Sequence, residues 1–261
     1  MSKIIIHGGF FSESSTNIET KIAKQQALLR IVKDSYAYLQ NHSALETVVY
    51  AVSQLEDDEL FNAGIGSQIQ SDGKIRMSAS LMDGETQKMS GVINIEEVKN
   101  PIQVAQVLMQ VDDRILGGSG ATNFARKHGF EPFSTEIPQR RAEYEAKLAS
   151  LGTGTVGCVA LDNNGKIAVA TSTGGKGFEI PGRISDSATV AGNYANEFCG
   201  VSLTGVGEDI VSNATAAKIV TRVTDGFSIE KAFEKTFAEL KPYDGFAGAI
   251  GIDKQGNIFH Q

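Results

Sequence analysis

A threonine between a glycine and a hydrophobic strand is the first candidate for chemistry in this sequence. Gly154 and Thr155 stand immediately before Val156–Leu161, an apolar and partly β-branched run that is typical of a buried strand. A threonine hydroxyl is a poor nucleophile until a base lies beside it. Threonine also favours strands, so the residue type alone leaves a structural role open.

Four glycine-rich stretches are further candidates, and phosphate binding is the first function to consider for them. They are HGG at His7, FNAGIGS at Phe61, TSTGGKGFEIPGRISDS at Thr171 and SLTGVGED at Ser202. GGKG lacks the upstream glycine and the Ser or Thr after Lys176 that a P-loop requires, and the GVG at Gly205 lacks the third glycine of a dinucleotide fingerprint. GGSGA, from Gly117, lacks the final glycine of a nucleophile elbow, which argues against a serine hydrolase.

Composition excludes several other classes of function. The four histidines show no ligand spacing and the two cysteines form no CxxC pair, which argues against a transition-metal enzyme. With 24 Lys and Arg against 31 Asp and Glu, the net charge of -7 disfavours a nucleic-acid or anionic-membrane partner. The sequence contains no apolar run of about 18 residues and no signal-peptide pattern, so we expect a cytoplasmic protein.

The elements that must position these residues alternate between strands and helices. In the first half, periodicity and capping signals predict a strand at 4–6, helices at about 20–39 and at 43–55, and a hairpin of 75–82 with 88–95. Three further helices are predicted from 100, at 121–128 and at 140–151. In the second half they predict a hairpin of 155–161 with 166–171, helices at 213–224 and 229–240, and a last hairpin of 246–252 with 257–260. This order indicates hairpin-built sheets covered by helices, in a single α+β domain.

Seven motifs of the chain occur together in one recognisable order. Through HGG, FNAGIGS, LMDG, GTVGCVALD, ATSTGG, PGR..DS and TGVGE, the sequence resembles the plant-type L-asparaginase and isoaspartyl peptidase family of N-terminal-nucleophile hydrolases. Eighteen positions separate Thr155 from Thr173, as in that family. The resemblance covers nearly the whole chain and implies a four-layer αββα sandwich.

The resemblance also implies that the chain is a precursor that cuts itself between Gly154 and Thr155, into 1–154 and 155–261. Cleavage frees the α-amino group of Thr155, whose intrinsic pKa of about 7.7 to 8.0 leaves a neutral fraction near pH 7. The family further implies that Thr173 orients the nucleophile and that Thr204 and the backbone amide of Gly205 are the oxyanion-hole donors. It also implies that Asn62 is an accessory polar group.

Arg183 and Asp186 indicate the substrate within this resemblance. A guanidinium binds an α-carboxylate in a two-pronged way, and a carboxylate beside it suits an α-ammonium, so the bond cut must be the side-chain amide. L-asparagine and β-aspartyl dipeptides both fit, and Gly207 is expected to contribute backbone atoms to the same pocket. A surface ion pair is the alternative for an Arg and an Asp three positions apart, but the neighbouring glycine and proline disfavour a helix face.

A structural cation and a dimer complete what the resemblance implies. Backbone carbonyls of the run from 55 to 65 would hold Na⁺ in an oxygen cage, with six residues contributing: Leu55, Glu56, Asp58, Phe61, Ala63 and Ile65. No organic cofactor is expected. Two cleaved precursors are expected to pair as an (αβ)₂ homodimer.

Some residues depart from the family pattern. Ser185 stands where the family usually has glycine, Ala188 replaces a proline, Phe10-Phe11 follow HGG, and the linker before Thr155 is short. Two alternatives to a β-aspartyl amidohydrolase therefore stay open. One is a glycosylasparaginase, which the missing signal peptide, disulfides and Trp disfavour. The other is an uncleaved, inactive homologue that binds aspartate-like ligands, which the phenylalanines and the short linker favour.

Overall fold

The computed structural model describes residues 1–9, 18–146, 154–243 and 246–261. Within these ranges the strands and α-helices are, in chain order, β1 (Lys3–His7), α1 (Ile18–Leu39), α2 (Ala44–Glu56), β2 (Met77–Asp83), β3 (Lys88–Ile95), α3 (Pro101–Leu108), β4 (Ile115–Gly117), α4 (Gly118–Lys127), α5 (Pro138–Glu145), β5 (Val156–Leu161), β6 (Ile167–Thr173), β7 (Asn193–Ala195), β8 (Cys199–Gly205), α6 (Gly207–Asn213), α7 (Thr215–Thr224), α8 (Ile229–Ala238), β9 (Ala247–Asp253) and β10 (Ile258–His260). Short 3₁₀ helices span Asp186–Ala188 and Lys241–Tyr243. This is the α+β composition that the sequence predicts.

The strands form a six-stranded and a four-stranded sheet. The strand order is β1-β5-β6-β2-β3-β4 in the first and β10-β9-β8-β7 in the second. Neighbouring strands are antiparallel except β3 and β4, which are parallel. Because β5 and β6 lie between β1 and β2, strands from the second half of the chain are inserted into a sheet that the first half frames.

Alternation along the central strands separates two packing faces. On β5, Val156, Cys158 and Ala160 belong to the core cluster that contains the buried residues of α2 and α3. Val159 and Leu161 belong instead to a cluster shared with β9 of the other sheet. Since successive side chains of a strand point to opposite faces, the odd-numbered residues of β5 face the four-stranded sheet.

The same alternation holds for β6 and β8. On β6, Ala168 and Ala170 pack with the helices, whereas Ile167 and Val169 pack between the sheets. On β8, Val201 and Leu203 belong to a third cluster, which contains buried residues of α7 and α8. The even-numbered residues of β8 therefore face the six-stranded sheet.

Local signals explain the start of α2 and the turn between β5 and β6. Ser43 caps α2 through the predicted capping box, since its Oγ accepts from the Glu46 amide and the Glu46 carboxylate accepts from the Ser43 amide. In the hairpin between β5 and β6, Asp162 Oδ1 accepts from the amides of Asn164 and Lys166. Both predictions are confirmed.

The structure also contains elements that the sequence pattern did not reveal. β8 was not predicted, because CGVSLTG carries two glycines and small polar residues in place of an alternating apolar pattern, yet it lies buried in the middle of its sheet. β4, β7 and α6 were also not predicted. α4 begins at Gly118, earlier than expected, and Ala214, at a φ of 50°, separates α6 from α7.

Two sequence predictions concern parts of the chain outside the described ranges. The helix predicted to reach residue 151 is present as α5 up to Glu145, and residues 147–153 lie outside the described residues. The same holds for Phe10 and Phe11. Across the part of the chain that the structure does describe, every helix is too short or too polar to cross a membrane.

Candidate active site

Two of the predicted catalytic threonines are in contact in the space between the sheets. Thr155 directly precedes β5 and Thr173 ends β6, and both have the odd numbers that face the other sheet. Their Oγ1 atoms lie 3.3 Å apart, and the residues are 5% and 3% exposed. The Oγ1 of Thr173 also accepts from the Gly175 amide at 3.2 Å, which holds its position at the strand end.

The register between the sheets brings Thr204 to the same place. A methyl group added at Gly200 would lie 3.0 Å from Val159, and one added at Gly157 would lie 2.1 Å from Ser202 Oγ. Gly200 thus lies opposite Val159 and Ser202 opposite Gly157, so moving forward two residues on β8 corresponds to moving back two residues on β5. Two more residues along each strand place the buried Thr204 opposite Thr155.

Gly205 and Gly207 continue this segment into the predicted substrate pocket. Gly205 has a φ of 148°, and a methyl group there would lie 2.2 Å from the Phe246 carbonyl oxygen, so no other residue fits without displacement. A methyl group at Gly207 would lie 2.8 Å from Asp186 Oδ1 and 2.9 Å from Arg183 Nη2. The segment from Thr204 to Gly207 thus connects the nucleophile region with the charged pair.

Asn62 lies beside the peptide bond that precedes Thr155. A methyl group at Gly154 would lie 2.6 Å from Asn62 Cβ. The Asn62 side chain donates to the Gly175 carbonyl at 2.5 Å and accepts from the Gln68 amide at 2.9 Å. Its amide therefore ties the loop after β6 to the loop after α2 and keeps Gly154 in close contact.

Asp186 is a buried carboxylate whose bonding is incomplete. It is 3% exposed, and among the described residues its Oδ2 has no hydrogen-bond partner. Burial raises the pKa of Asp186 to about 7, against the opposing effect of the nearby Arg183 charge. A cationic ligand group would supply the partner that this carboxylate lacks.

Arg183 is held by a residue to which sequence reasoning assigned no role. Glu208 accepts from Nε at 2.7 Å and from Nη2 at 3.0 Å, a two-pronged geometry that lowers the pKa of Glu208 to about 2. The signal was available, because Glu208 is the last residue of TGVGE. Only the tertiary structure, however, shows that this residue reaches Arg183, the arginine predicted to bind the substrate.

Several buried polar atoms around this pair have no protein partner within the described part of the chain. They are Glu179 Oε2, Ser185 Oγ, Asp186 Oδ2 and Ser187 Oγ. Ser185 is the residue that departs from the family pattern, and it has an extended backbone at the start of the 3₁₀ helix. Unsatisfied buried polar atoms are costly in a core, so their grouping here is typical of a site completed by a polar ligand or by water.

The predicted cation loop turns back on itself so that carbonyl oxygens converge on two glycines. Gly64 and Gly66 have φ values of 53° and 89°. Methyl groups there would lie 2.3 Å from the Glu56 carbonyl oxygen and 2.8 Å from that of Phe61. Nowhere in the described ranges do three acidic, histidine or cysteine side chains cluster as a metal site. Backbone carbonyls are the donors that a hard monovalent cation favours, but those of Glu56 and Asp58 already accept from the amides of Ile65 and Phe61.

Comparison with known proteins gives one consistent picture. The chain matches the family model described as asparaginase over residues 1–148 and 132–261. It is 46% identical to the isoaspartyl peptidase/L-asparaginase of Synechocystis sp., over 98% of this chain and 83% of that protein. The isoaspartyl peptidase of Escherichia coli is 36% identical over 98% and 88% of the two chains. The plant-type L-asparaginase of Pyrococcus furiosus is 35% identical over 99% and 92%.

Proposed function

Since this chain belongs to the asparaginase family, we propose that it hydrolyses β-aspartyl amide bonds, in isoaspartyl dipeptides and in L-asparagine, with Thr155 as the nucleophile. The observation that carries this proposal is the buried contact of the Thr155 and Thr173 hydroxyls at 3.3 Å, at the start of a core strand. The names of the relatives in Synechocystis and Escherichia coli agree with it.

Maturation is the first step of the proposed mechanism. The Thr155 hydroxyl attacks the carbonyl carbon of Gly154, the C–N bond between the two residues breaks as the ester forms, and the hydroxyl proton passes to the departing nitrogen. Water then hydrolyses the ester, which leaves residues 1–154 with a new carboxylate and residues 155–261 with a free α-amino group. The close packing of Gly154 on Asn62 holds this bond in place for attack.

Turnover uses the same hydroxyl. The new α-amino group accepts the hydroxyl proton as Thr155 attacks the side-chain carbonyl of the substrate, and Thr173 orients the hydroxyl. Thr204 and the Gly205 amide stabilise the oxyanion. The leaving amine or ammonia takes the proton as its bond breaks, and water hydrolyses the β-aspartyl ester.

Substrate selection falls to the charged pair and its glycine. Arg183 binds the α-carboxylate and Asp186 the α-ammonium, while Gly207 leaves room for the substrate backbone between them. The incomplete bonding of Asp186 supports this role. With both α groups bound, only the side-chain amide reaches Thr155, which is why β-aspartyl bonds are selected.

Architecture and assembly follow the same family expectation. We take the two sheets and their helix-facing clusters as a four-layer αββα sandwich, and the mature protein as an (αβ)₂ homodimer. Ile180 and Ile184, which flank the pocket and are 79% and 56% exposed, are candidates for the dimer contact. Na⁺ held by the loop from 55 to 65 would have a structural role and supply no chemistry.

The decisive test is the fate of the Gly154–Thr155 bond. We expect incubation near neutral pH to convert the chain into fragments 1–154 and 155–261, the second beginning Thr-Val-Gly-Cys. Thr155→Ala removes the hydroxyl and should stay intact and inactive, whereas Thr155→Cys retains a nucleophile and should be cleaved slowly. Intact mass, N-terminal sequencing and hydrolysis of β-aspartyl dipeptides are the measurements.

Each alternative predicts a different result in the same experiment. A whole chain that still hydrolyses dipeptides would contradict the mechanism, because the proposed base would not exist. A whole, inert chain that binds aspartate would identify a binding protein. Cleavage with a clear preference for glycosylated asparagine would identify a glycosylasparaginase.

A further inference from the structure

A second group of buried polar side chains lies between the sheets, below the three threonines. His7 Nε2 is 2.9 Å from Ser202 Oγ, which is 2.8 Å from Thr171 Oγ1, and Thr171 donates to Asn193 Oδ1 at 2.9 Å. Ser202, Thr171 and Asn193 are completely buried. We call these four residues the lower polar layer. The proposed mechanism assigns no role to the HGG motif, which contributes His7.

Strand register places the lower polar layer one pleat from the catalytic residues. Thr171 precedes Thr173 by two positions on β6, and Ser202 precedes Thr204 by two positions on β8. At about 3.3 Å per residue, the two layers are roughly 7 Å apart on the same strand faces. Any movement of a strand at the lower layer therefore moves its threonine as well.

The layer joins the two sheets directly. Ser202 belongs to the four-stranded sheet, while its partners His7 and Thr171 belong to the six-stranded sheet. Within the sheets, His7 pairs with Gly157, Gly157 pairs with Thr171, and Asn193 pairs with Ser202. The four side chains thus form one continuous level across strands β1, β6, β7 and β8.

Gly157 shows how closely this level is packed. A methyl group there would lie 2.1 Å from Ser202 Oγ and 2.4 Å from His7 Nε2, so the polar atoms fill the space of a side chain. Further along β5 and β6, the sheets meet through apolar residues, including Val159 and Val169. Apolar contacts tolerate sliding, whereas hydrogen bonds between sheets fix both separation and register.

We propose that His7 and Ser202 are positioning residues, and that their hydrogen bond across the sheets holds Thr155 and Thr204 at the separation that attack on a carbonyl requires. This inference rests on the proposed function. It predicts an effect on the rate of reaction and none on substrate affinity, because the charged pair that binds the substrate lies outside the layer.

The first test compares two matched serines. Ser202→Ala and Ser90→Ala each remove a fully buried strand hydroxyl, but Ser90 donates to the Ala105 carbonyl of α3, away from the site. For Ser202→Ala we expect the rate constant of self-cleavage, and the kcat of the cleaved fraction on a β-aspartyl dipeptide, to fall at least tenfold. Affinity for L-aspartate, measured by calorimetry, should stay within twofold. Ser90→Ala should keep all three values within threefold.

The second test exchanges His7. Burial lowers its pKa to about 4, so the ring is neutral near pH 7 and a neutral replacement preserves charge. His7→Gln carries an amide that reaches about as far as Nε2 and should retain most activity, whereas His7→Phe keeps the ring but should lose at least tenfold. Because both changes break the His7–Ser202 bond, the double variant His7→Phe with Ser202→Ala should lose less than the product of the two single losses.

The outcomes separate the two proposals. An active wild type whose Ser202→Ala variant keeps both rates within threefold overturns the positioning role alone. Equal losses in Ser202→Ala and Ser90→Ala, or a loss of L-aspartate affinity with unchanged rates, overturn it as well. A wild type with neither cleavage nor hydrolysis overturns the proposed function and this inference together. Thermal unfolding of each variant confirms that the rates refer to folded protein.

Discussion

At the residue scale, the ion pair of Arg183 and Glu208 limits how Arg183 could bind the α-carboxylate of the proposed substrate. Glu208 occupies the Nε and Nη2 edge of the guanidinium, so a ligand carboxylate must use the Nη1 side or displace Glu208. The fork geometry of arginine allows both contacts at once. A lysine at this position could satisfy only one of them.

Arg183→Lys should therefore weaken transition-state binding while leaving self-cleavage unchanged. We expect kcat/KM on β-aspartyl dipeptides to fall by an amount that corresponds to a loss of about 2 to 3 kcal/mol of transition-state stabilisation. Arg141→Lys is the matched control, because Arg141 on α5 forms a similar two-pronged pair with Glu136, away from the site. Steady-state kinetics of both variants decide the matter, and an unchanged kcat/KM for Arg183→Lys would remove Arg183 from the pocket.

Asp186 should make ligand affinity depend on pH. Its pKa is raised to about 7, so the carboxyl is largely neutral below pH 7 and cannot pair with an α-ammonium, whereas above pH 7 it is ionised. The inhibition constant of L-aspartate should therefore decrease about tenfold for each unit by which the pH rises toward 7, and it should be constant above pH 7. Asp186→Asn should bind weakly and without this dependence. Asp209→Asn, a change on α6, should keep the wild-type profile, and a flat wild-type profile would contradict the assignment.

At the element scale, loops and strand ends carry the site while the strands set its spacing. The loop after α2 holds Asn62 against Gly154, and its own shape depends on Gly64 and Gly66. A cation in the carbonyl cage would fix this loop without touching the substrate. Its effect should therefore appear in stability before it appears in chemistry.

Sodium should raise the unfolding temperature of the protein. Binding to the folded state at about a hundred times Kd contributes about 2.7 kcal/mol, which corresponds to several degrees for a chain of this size. Differential scanning calorimetry in NaCl and in choline chloride of equal ionic strength measures the effect. Gly64→Ala, which pushes a methyl group onto the Glu56 carbonyl, should abolish the sodium dependence. Identical unfolding temperatures in the two salts would exclude the cation site.

At the scale of the whole molecule, sheet topology determines what self-cleavage can do to the structure. The proposed cut lies just before β5, yet β5 pairs with β1 and β6 pairs with β2. Both contacts join the two fragments within one sheet. Cleavage therefore frees a chain end without separating layers of the core.

The two fragments should remain one particle after complete cleavage. Size-exclusion chromatography in native buffer should give a single peak that contains both fragments, and only a denaturant should separate them. Thr155→Ala, which stays uncut, is the control for the elution volume of the intact assembly. Fragments that separate in native buffer would contradict the strand order on which this expectation depends.

The sequence by itself determined the local structure and the types of chemical group. The capping box of α2, the hairpin at Asp162 and the amphipathic helices depend on neighbours within a few positions, so their patterns are readable before folding. Thr155, Thr173, Arg183 and Asp186 could be named because their motifs stand in a recognisable order. Their contacts could not be derived from that order alone.

Only the tertiary structure decided how distant strands face one another. β8 carries no strong strand signal, because its glycines and small residues are selected by close packing against the other sheet, and pairing with β7 and β9 stabilises it instead. For the same reason the reach of Glu208 to Arg183, and the bond of His7 to Ser202 across 195 positions, were invisible in the sequence. Such contacts depend on the register and spacing of two sheets, and no local pattern of residues specifies those quantities.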